Sequence, residues 1–138
     1  MRRRMQIVFD APDPHALARF WAQAVHGAVE DRSEVVSRLV TSGAVPREVT
    51  AEVDGRLAFK DVAAVAAEGL PRLFFQRVPR PKTAKNRCHV DLQVGPGEAE
   101  RERDRLVGLG ATLLWTTGDR GPVTHTLQDP QGNEFCVS

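Results

Sequence analysis

Two segments of this chain, 83 residues apart, follow the same pattern. The first begins at Gln6 and runs to Gly27-Ala28, and the second begins at His89 and runs to Gly110-Ala111. In both, the glycine and the alanine lie 21 and 22 residues beyond the opening polar residue, after a strand-like and then a helix-like run. A repeat of this length is one supersecondary unit used twice, and two such units usually close around a shared cleft.

The composition excludes several kinds of partner. At 138 residues and a net charge of +1, the chain can bury an ordinary core but has no field that would attract nucleic acid or a membrane surface. No run approaches the roughly 18 apolar residues of a spanning helix, and no signal-peptide core follows Arg2-Arg3-Arg4. Two cysteines are too few for a disulfide framework. We expect a soluble cytoplasmic protein.

In the second half, the pattern predicts a β-α-β-β-β order. Val90, Leu92 and Val94 alternate with polar residues, as in a half-buried strand, and a charged helix follows from about Glu98 to Leu109. We expect Ala99, Leu106, Val107 and Leu109 to face inward. We expect two strands, at 111–117 and 123–128, joined by a loop at 118–122. An Asp-Pro-Gln-Gly turn at 129–132 and a final strand at 134–137 complete this half.

The first half fits the same plan with a longer middle. A strand over 5–10 precedes a helix that Asp13 caps and Pro14 begins, and Gly27 is its expected end. Helical spacing of valines and leucine predicts an inserted helix at 33–43. The remaining strands are expected at 49–53, 60–67 and 73–78, and a basic linker follows at 79–87. The linker could be a solvated connection or could hold an anion.

The phase of each strand separates an apolar face from a polar one. If the apolar residues pack against the helices, the opposite faces present a set of polar side chains: Gln6, Asp10, Gln76, His89, Asp91, Gln93, Glu134 and Cys136. Such a set predicts a wet concave site. A plain solvent-facing sheet would give the same alternation, and phase alone does not separate the two interpretations.

Three segments resemble the glyoxalase / bleomycin-resistance / extradiol dioxygenase superfamily, the vicinal oxygen chelate fold, in its glyoxalase-like branch. They are 6–21, Arg87-Cys88-His89-Val90-Asp91-Leu92 and the Asp129–Phe135 turn and strand, whereas 33–67 matches poorly. The resemblance implies one α+β domain over 1–138. Its two βαβββ units, at about 5–78 and 88–138, would form a cup-shaped mixed sheet with the helices outside. It also implies a homodimer.

The resemblance implies four metal-ligand positions, which this chain fills with Gln6, Gln76, His89 and Cys136. The family's glutamate stands where this chain has Cys136, and Glu134 is displaced from it by two residues. Two amides, an imidazole and a thiol supply at most one negative charge, and amide oxygens are weak donors for divalent metals. We therefore expect no obligatory metal or other cofactor. The alternative is a divalent metal held by Gln6, Gln76, His89 and Glu134.

These considerations give each candidate a role. His89 is the expected general base or hydrogen-bonding group, with Glu134 as the second candidate catalytic residue. The expected substrate-binding residues are Gln6, Asp10, Gln76, Asp91 and Cys136, whereas Cys88 alternates away from the site toward the core. The leading hypothesis is a glyoxalase-like protein that binds or transforms a small organic metabolite in the cup. The alternatives are a metal-dependent lyase, isomerase or dioxygenase, and an antibiotic-sequestering resistance protein.

Overall fold

The computed structural model describes residues 1–119 and 121–138. Arg120, in the loop expected at 118–122, lies outside the described residues. The chain forms two compact units, Met1–Pro79 and Arg80–Ser138. Both combine helices with a mixed four-stranded sheet, which confirms the α+β class. Within the described residues, no helix is both long enough and apolar enough to span a bilayer.

The first unit contains two sheets, two α-helices and a 3-10 helix at Arg47–Val49. Its four-stranded sheet has the order β1-β6-β5-β2, in which β1 and β6 are parallel and the other pairs are antiparallel. A separate hairpin joins β3 to β4. The elements in chain order are β1 (Gln6–Ala11), α1 (Pro14–Ala24), β2 (Ala28–Val29), α2 (Ser33–Thr41), β3 (Thr50–Val53), β4 (Arg56–Phe59), β5 (Val62–Ala66) and β6 (Arg72–Arg77).

The second unit repeats this sheet without the extra hairpin. Its strands have the order β7-β10-β9-β8, again with the first pair parallel and the others antiparallel. The short β7 is extended by backbone hydrogen bonds from Cys136 to Val90 and from Val94 to Ser138. The elements are β7 (Asp91–Leu92), α3 (Ala99–Gly108), β8 (Thr112–Thr117), β9 (Thr124–Gln128) and β10 (Glu134–Val137).

The shared strand order shows that the sequence repeat is a structural repeat. In both units a first strand and a helix lead to a three-stranded meander, and the last strand returns beside the first. The units differ between their second and third strands. Residues 30–61 separate β2 from β5, whereas residues 118–123 separate β8 from β9. The expected inserted helix is confirmed as α2, but the strands β2 and β4 were not predicted. The strand expected at 49–53 forms as β3, but it pairs with β4 in the separate hairpin, and the second strand of the main sheet is β2.

Helix α1 organises the core of the first unit. Asp13 caps it by accepting a hydrogen bond from the Ala16 N–H at 3.0 Å, and Pro14 occupies the first turn, as predicted. Trp21 is fully buried, and its ring lies 5.2 Å from that of Phe9, which stacks at the same distance on Phe75. The apolar face of β1 therefore packs against α1, as the strand phase predicts.

Helix α3 buries a narrower face than the sequence predicted. Leu106 is fully buried with Leu127, Phe135 and Val137, whereas the side chain of Val107, expected to face inward, is 43% exposed. The helix carries six charged residues in ten positions, so it has few apolar groups to bury and one leucine supplies most of the contact.

Both cysteines are free, and Cys88 is exposed rather than in the core. The sequence placed Cys88 toward the core because the strand alternation was continued backward from Val90. The strand itself begins only at Asp91, so residue 88 lies in the preceding coil, where alternation does not fix the direction of a side chain.

Candidate functional site

A row of side chains crosses the sheet of the second unit on the face opposite to α3. Cys136 pairs with Asp91 on one side and with Thr126 on the other, and Thr126 pairs with Trp115. Directly paired residues point to the same face of a sheet. Because Phe135 and Val137 are buried on the helix side, the row lies on the opposite side, where Asp91 and Trp115 are exposed, Cys136 is half-buried and Thr126 is buried. Below we call Trp115, Thr126, Cys136 and Asp91 the open-face row.

A β-bulge brings Trp115 into this row. Leu113 pairs with Leu127, but the next pair is Trp115 with Thr126, so Leu114 is an extra residue in β8. Without the bulge, Leu114 would face Thr126 and Trp115 would point toward the helix. The indole is 45% exposed. Simple alternation from Leu113 assigns Trp115 to the apolar face, so the sequence pattern did not predict this residue for the row.

His89 joins the row at its Asp91 end. Its Nδ1 lies 3.3 Å from an Asp91 carboxylate oxygen, and the two side chains are 38% and 53% exposed. One ligand atom from each of His89, Asp91 and Cys136 lies within 4.8 Å of the others. The structure thus brings together three of the residues that the sequence selected for the site.

The thiol of Cys136 is held in its neutral form. Burial raises its pKa, and the negative charge of Asp91 acts in the same direction. A hydrogen-bond contact of 3.4 Å with the Thr126 hydroxyl and the positive charge of Lys85 oppose this shift without reversing it. A protonated thiol is a poor nucleophile and a poor metal ligand, so Cys136 offers a polarizable wall rather than a reactive group.

Glu134 is bonded to the linker. Its carboxylate, 7% exposed, accepts hydrogen bonds from the Lys82 ammonium and from the backbone N–H of Asn86, both at 2.9 Å. Burial alone would raise the pKa of Glu134, but these two partners lower it to about 2. Glu134 is therefore ionised and anchors the linker. Its catalytic role stays a prediction, and Lys82 belongs to an internal ion pair rather than to a free anion site.

The polar residues of the first unit form two separate pairs. Gln6 lies opposite Arg72 and accepts its hydrogen bond at 2.6 Å, whereas Gln76 lies opposite Asp10 and donates to it at 2.7 Å. The two glutamines share a face but stand four residues apart along the strand pair, about 13 Å. The two amides are engaged by different partners, Arg72 and Asp10, and the alternative in which one ion binds both stays a prediction.

The sequence of residues 6–138 matches the family of glyoxalase-like domains. The chain belongs to this family.

Solved structures share the glyoxalase-like fold at low sequence identity. Fosfomycin resistance protein FosX from Mesorhizobium loti has a TM-score of 0.65 at 10% identity, over 99% of this chain and 90% of that one. A hypothetical protein from S. aureus gives 0.64 at 13% identity, over 99% and 93%. A possible glyoxalase from Bacillus cereus gives 0.63 at 11% identity, over 99% and 98%. No curated protein matches in sequence.

The donor atoms of this glyoxalase-like domain fit a hard divalent metal poorly. Magnesium and manganese prefer several oxygen ligands, but the cluster in the second unit supplies one carboxylate, one imidazole and one thiol, the last in its neutral form. Glu134, which could add a second carboxylate, is bonded to Lys82. Zinc accepts nitrogen, oxygen and sulfur ligands and is the divalent metal that His89, Asp91 and Cys136 would suit best.

Proposed function

We propose that this glyoxalase-like protein binds a small organic molecule on the open face of its second sheet and needs no metal to do so. The observation that carries the proposal is the convergence of His89, Asp91 and Cys136 within 4.8 Å, in the row that also contains Trp115. The row combines an aromatic surface with a hydroxyl, a neutral thiol and an imidazole–carboxylate pair. These groups suit a flat molecule with a polar oxygen at one edge.

His89 and Asp91 supply the chemistry that the face can perform. With a proton on Nδ1 directed at Asp91, the imidazole leaves the lone pair of Nε2 free to accept a proton from the ligand. The carboxylate would stabilise the imidazolium that results. The pair can therefore serve either as a hydrogen-bond acceptor in a binding protein or as the base in a proton transfer, and Trp115 would hold the flat part of the ligand.

Titration with 4-nitrophenol tests the proposal, because this probe is flat, has one hydroxyl and changes absorbance when it loses a proton. Trp21 is fully buried and Trp115 is 45% exposed, so quenching of the exposed tryptophan reports binding at the row. We expect quenching that survives treatment with a chelator and weakens about tenfold in His89→Ala, as for loss of a hydrogen bond to a buried ligand.

His26→Asn is the matched control for that experiment. It removes an exposed histidine of the first unit, at a position with φ of 52° that asparagine tolerates. The control should bind the probe as the wild type does. Equal affinity of His89→Ala and wild type, or loss of binding on removal of metal, would contradict the proposal.

A metal-dependent lyase, isomerase or dioxygenase is the second candidate, favoured by the spacing of the same three donor atoms. Elemental analysis of protein purified without an affinity tag, followed by zinc titration, decides between the two. Stoichiometric metal that disappears in His89→Ala and in Cys136→Ser would favour the metalloenzyme. Cys136→Glu is the positive control, because it adds a charged oxygen donor and should raise the affinity for manganese.

The homodimer implied by the family resemblance is part of the proposal. Light scattering on the purified protein measures it directly. We expect the mass of two chains, each of 15.2 kDa. A single-chain mass at micromolar concentration would contradict it.

A further inference from the structure

A cavity of about 460 Å³ lies within the first unit beside the inserted hairpin. Its volume is in the range of small-molecule sites. The sheet contributes Val62, Ala64 and Phe74, and the hairpin contributes Leu57 and Phe59. Phe74 and Ala64 are paired across β6 and β5 on the face opposite to the buried Phe75, so the cavity opens on the side away from α1.

Polar contacts attach the hairpin to its surroundings. His15 bonds through Nε2 to the backbone oxygen of Phe59 at 2.8 Å, and Arg19 makes two hydrogen bonds to Asp54, at 2.9 and 3.1 Å. Helix α2 packs on β4 and buries Val36 completely. The wall that the insertion adds is thus fixed at the end of β4, at the turn of the hairpin and along α2.

Among the described charged side chains that line this cavity, one arginine is left without a carboxylate partner. Glu30 and Arg72 form two hydrogen bonds of 2.7 Å, and Asp31 pairs with Arg56 at 3.1 Å, while Asp54 is held by Arg19. The three carboxylates that line the cavity are therefore neutralised. The guanidinium of the remaining cavity arginine, Arg32, makes no hydrogen bond or ion pair with any described residue, although its charge helps to lower the pKa of Glu30.

Arg72 also helps to shape the apolar floor. Its guanidinium lies 5.3 Å from the centre of the Phe74 ring and bonds to Gln6 as well as to Glu30. These contacts use all three of its nitrogens, so Arg72 is a fixed part of the wall. Hydrogen bonds from Arg72 lower the pKa of Glu30, which therefore stays ionised and keeps the pair intact.

We propose that this cavity binds a small aromatic carboxylate. The ring would lie against Phe74 and Phe59, and the carboxylate would pair with Arg32 at the rim. This inference goes beyond the function proposed above, because His89 and the open-face row contribute no side chain to the lining. The residues that line the cavity come mainly from 30–61 and from the strands beside that segment. The segment 30–61 is where the two units differ.

Benzoate is the probe, and benzamide and benzylamine are its neutral and cationic counterparts. Protein-observed NMR should show millimolar benzoate shifting the signals of the lining residues, with benzamide weaker and benzylamine weaker still. Arg32→Gln should weaken benzoate about fivefold, as for a solvent-accessible charge pair, and make it equal to benzamide. Arg38→Gln, which removes an exposed arginine from α2, is the matched control and should change nothing.

Phe74→Leu tests the aromatic contact separately and should weaken all three probes alike. His89→Ala should leave benzoate binding unchanged, so failure of this inference and failure of the proposed function give different results. Equal binding of benzoate and benzamide would contradict the proposal that the cavity recognises a carboxylate. Chemical-shift changes confined to the second unit would contradict the proposal that this cavity is the binding site. Unchanged binding in Arg32→Gln would overturn the assignment of that residue.

Discussion

The two units share one strand order but place different side chains on the matching face of the sheet. When Gln6 is matched with His89, Val8 matches Asp91, and their partners Phe74 and Cys136 match each other. The row across the first sheet is apolar, with Val8, Phe74 and Ala64, whereas the open-face row of the second sheet is polar. The repeated topology sets where side chains stand, and the identity of those side chains decides which chemistry each face can support.

A charged residue stands two positions before Phe74 and before Cys136, with opposite sign in the two units. In the first unit it is Arg72, paired with Glu30, and in the second it is Glu134, paired with Lys82. Each charge is neutralised by a segment outside its own parallel strand pair. The matched position thus anchors a segment outside the sheet, which is the insertion in the first unit and the linker in the second.

The largest expected effect comes from the glycines that end the two repeated segments. A Cβ at Gly27 would stand 2.4 Å from the Ala66 oxygen and 2.9 Å from the Ala67 Cβ. At Gly110 the nearest atom would be 3.5 Å away, but φ is +116°. The matched glycines are therefore needed for different reasons, a close approach in the first unit and a backbone conformation in the second.

We expect Gly27→Ala to destabilise the protein by about 3 kcal/mol, as overpacking against backbone does, and Gly110→Ala by about 2 kcal/mol from backbone strain. Gly108→Ala is the control, because it lies in α3 with open space around it and should stabilise by about 0.5–1 kcal/mol. Urea unfolding followed by circular dichroism measures all three. A Gly27→Ala protein as stable as wild type would refute the close approach.

The second effect concerns the anchor at Glu134. Its pKa is about 2 in the folded protein against 4.5 ordinarily, so the unfolded chain binds the proton more tightly. The stability that this carboxylate contributes is present above pH 4.5 and is lost as the pH falls toward 2. Glu134→Gln should lower the free energy of unfolding by about 2 kcal/mol at pH 7, the value for hydrogen bonds to a buried charge. The stabilities of this variant and of the wild type should converge near pH 2.

Unfolding midpoints measured from pH 7 to pH 2 check this profile. Glu68→Gln, at an exposed glutamate of the first unit, should follow the wild-type curve throughout. Parallel curves for Glu134→Gln and wild type would mean that the Lys82 contact contributes no pH-dependent stability.

The smallest effect comes from a histidine that the first sheet lacks. His125 pairs with Val137 on the helix face, at the place where the first sheet has Ala63 opposite Phe75. It is 1% exposed, its Nδ1 lies 2.9 Å from the Thr116 hydroxyl, and its Nε2 has no hydrogen-bond partner among the described residues. Burial lowers its pKa, with Arg103 acting in the same direction, so the folded protein disfavours the charged ring.

The contribution of His125 is therefore present above pH 6.5 and is lost as the pH falls through its lowered pKa. His125→Gln, which can keep a bond to Thr116, should flatten the fall in stability between pH 7 and pH 5. His26→Asn should leave that slope as it is. A slope that is the same in all three proteins would show that His125 titrates alike in the folded and unfolded chains.

Local pattern determined the elements of this protein. The residues 33–41 form a helix because valine and leucine recur at helical spacing, and Asp13-Pro14 begins α1 because it supplies a cap and a fixed φ. The turn at 129–132 closes with the expected hydrogen bond from Gly132 to Asp129. The selection of Asp91 and Cys136 for one face came from period-two alternation, which a strand imposes whatever its neighbours are, whereas His89 lies in the coil before β7 and reaches Asp91 from there.

Only the tertiary structure decided which of these residues meet. The bulge that turns Trp115 toward Thr126 depends on the register between β8 and β9, and the separation of Gln6 from Gln76 depends on the register between β1 and β6. The ion pair between Glu134 and Lys82 joins residues that are 52 apart in sequence. The register of two strands and the pairing of distant residues depend on both segments at once. The sequence of one segment alone therefore does not determine them.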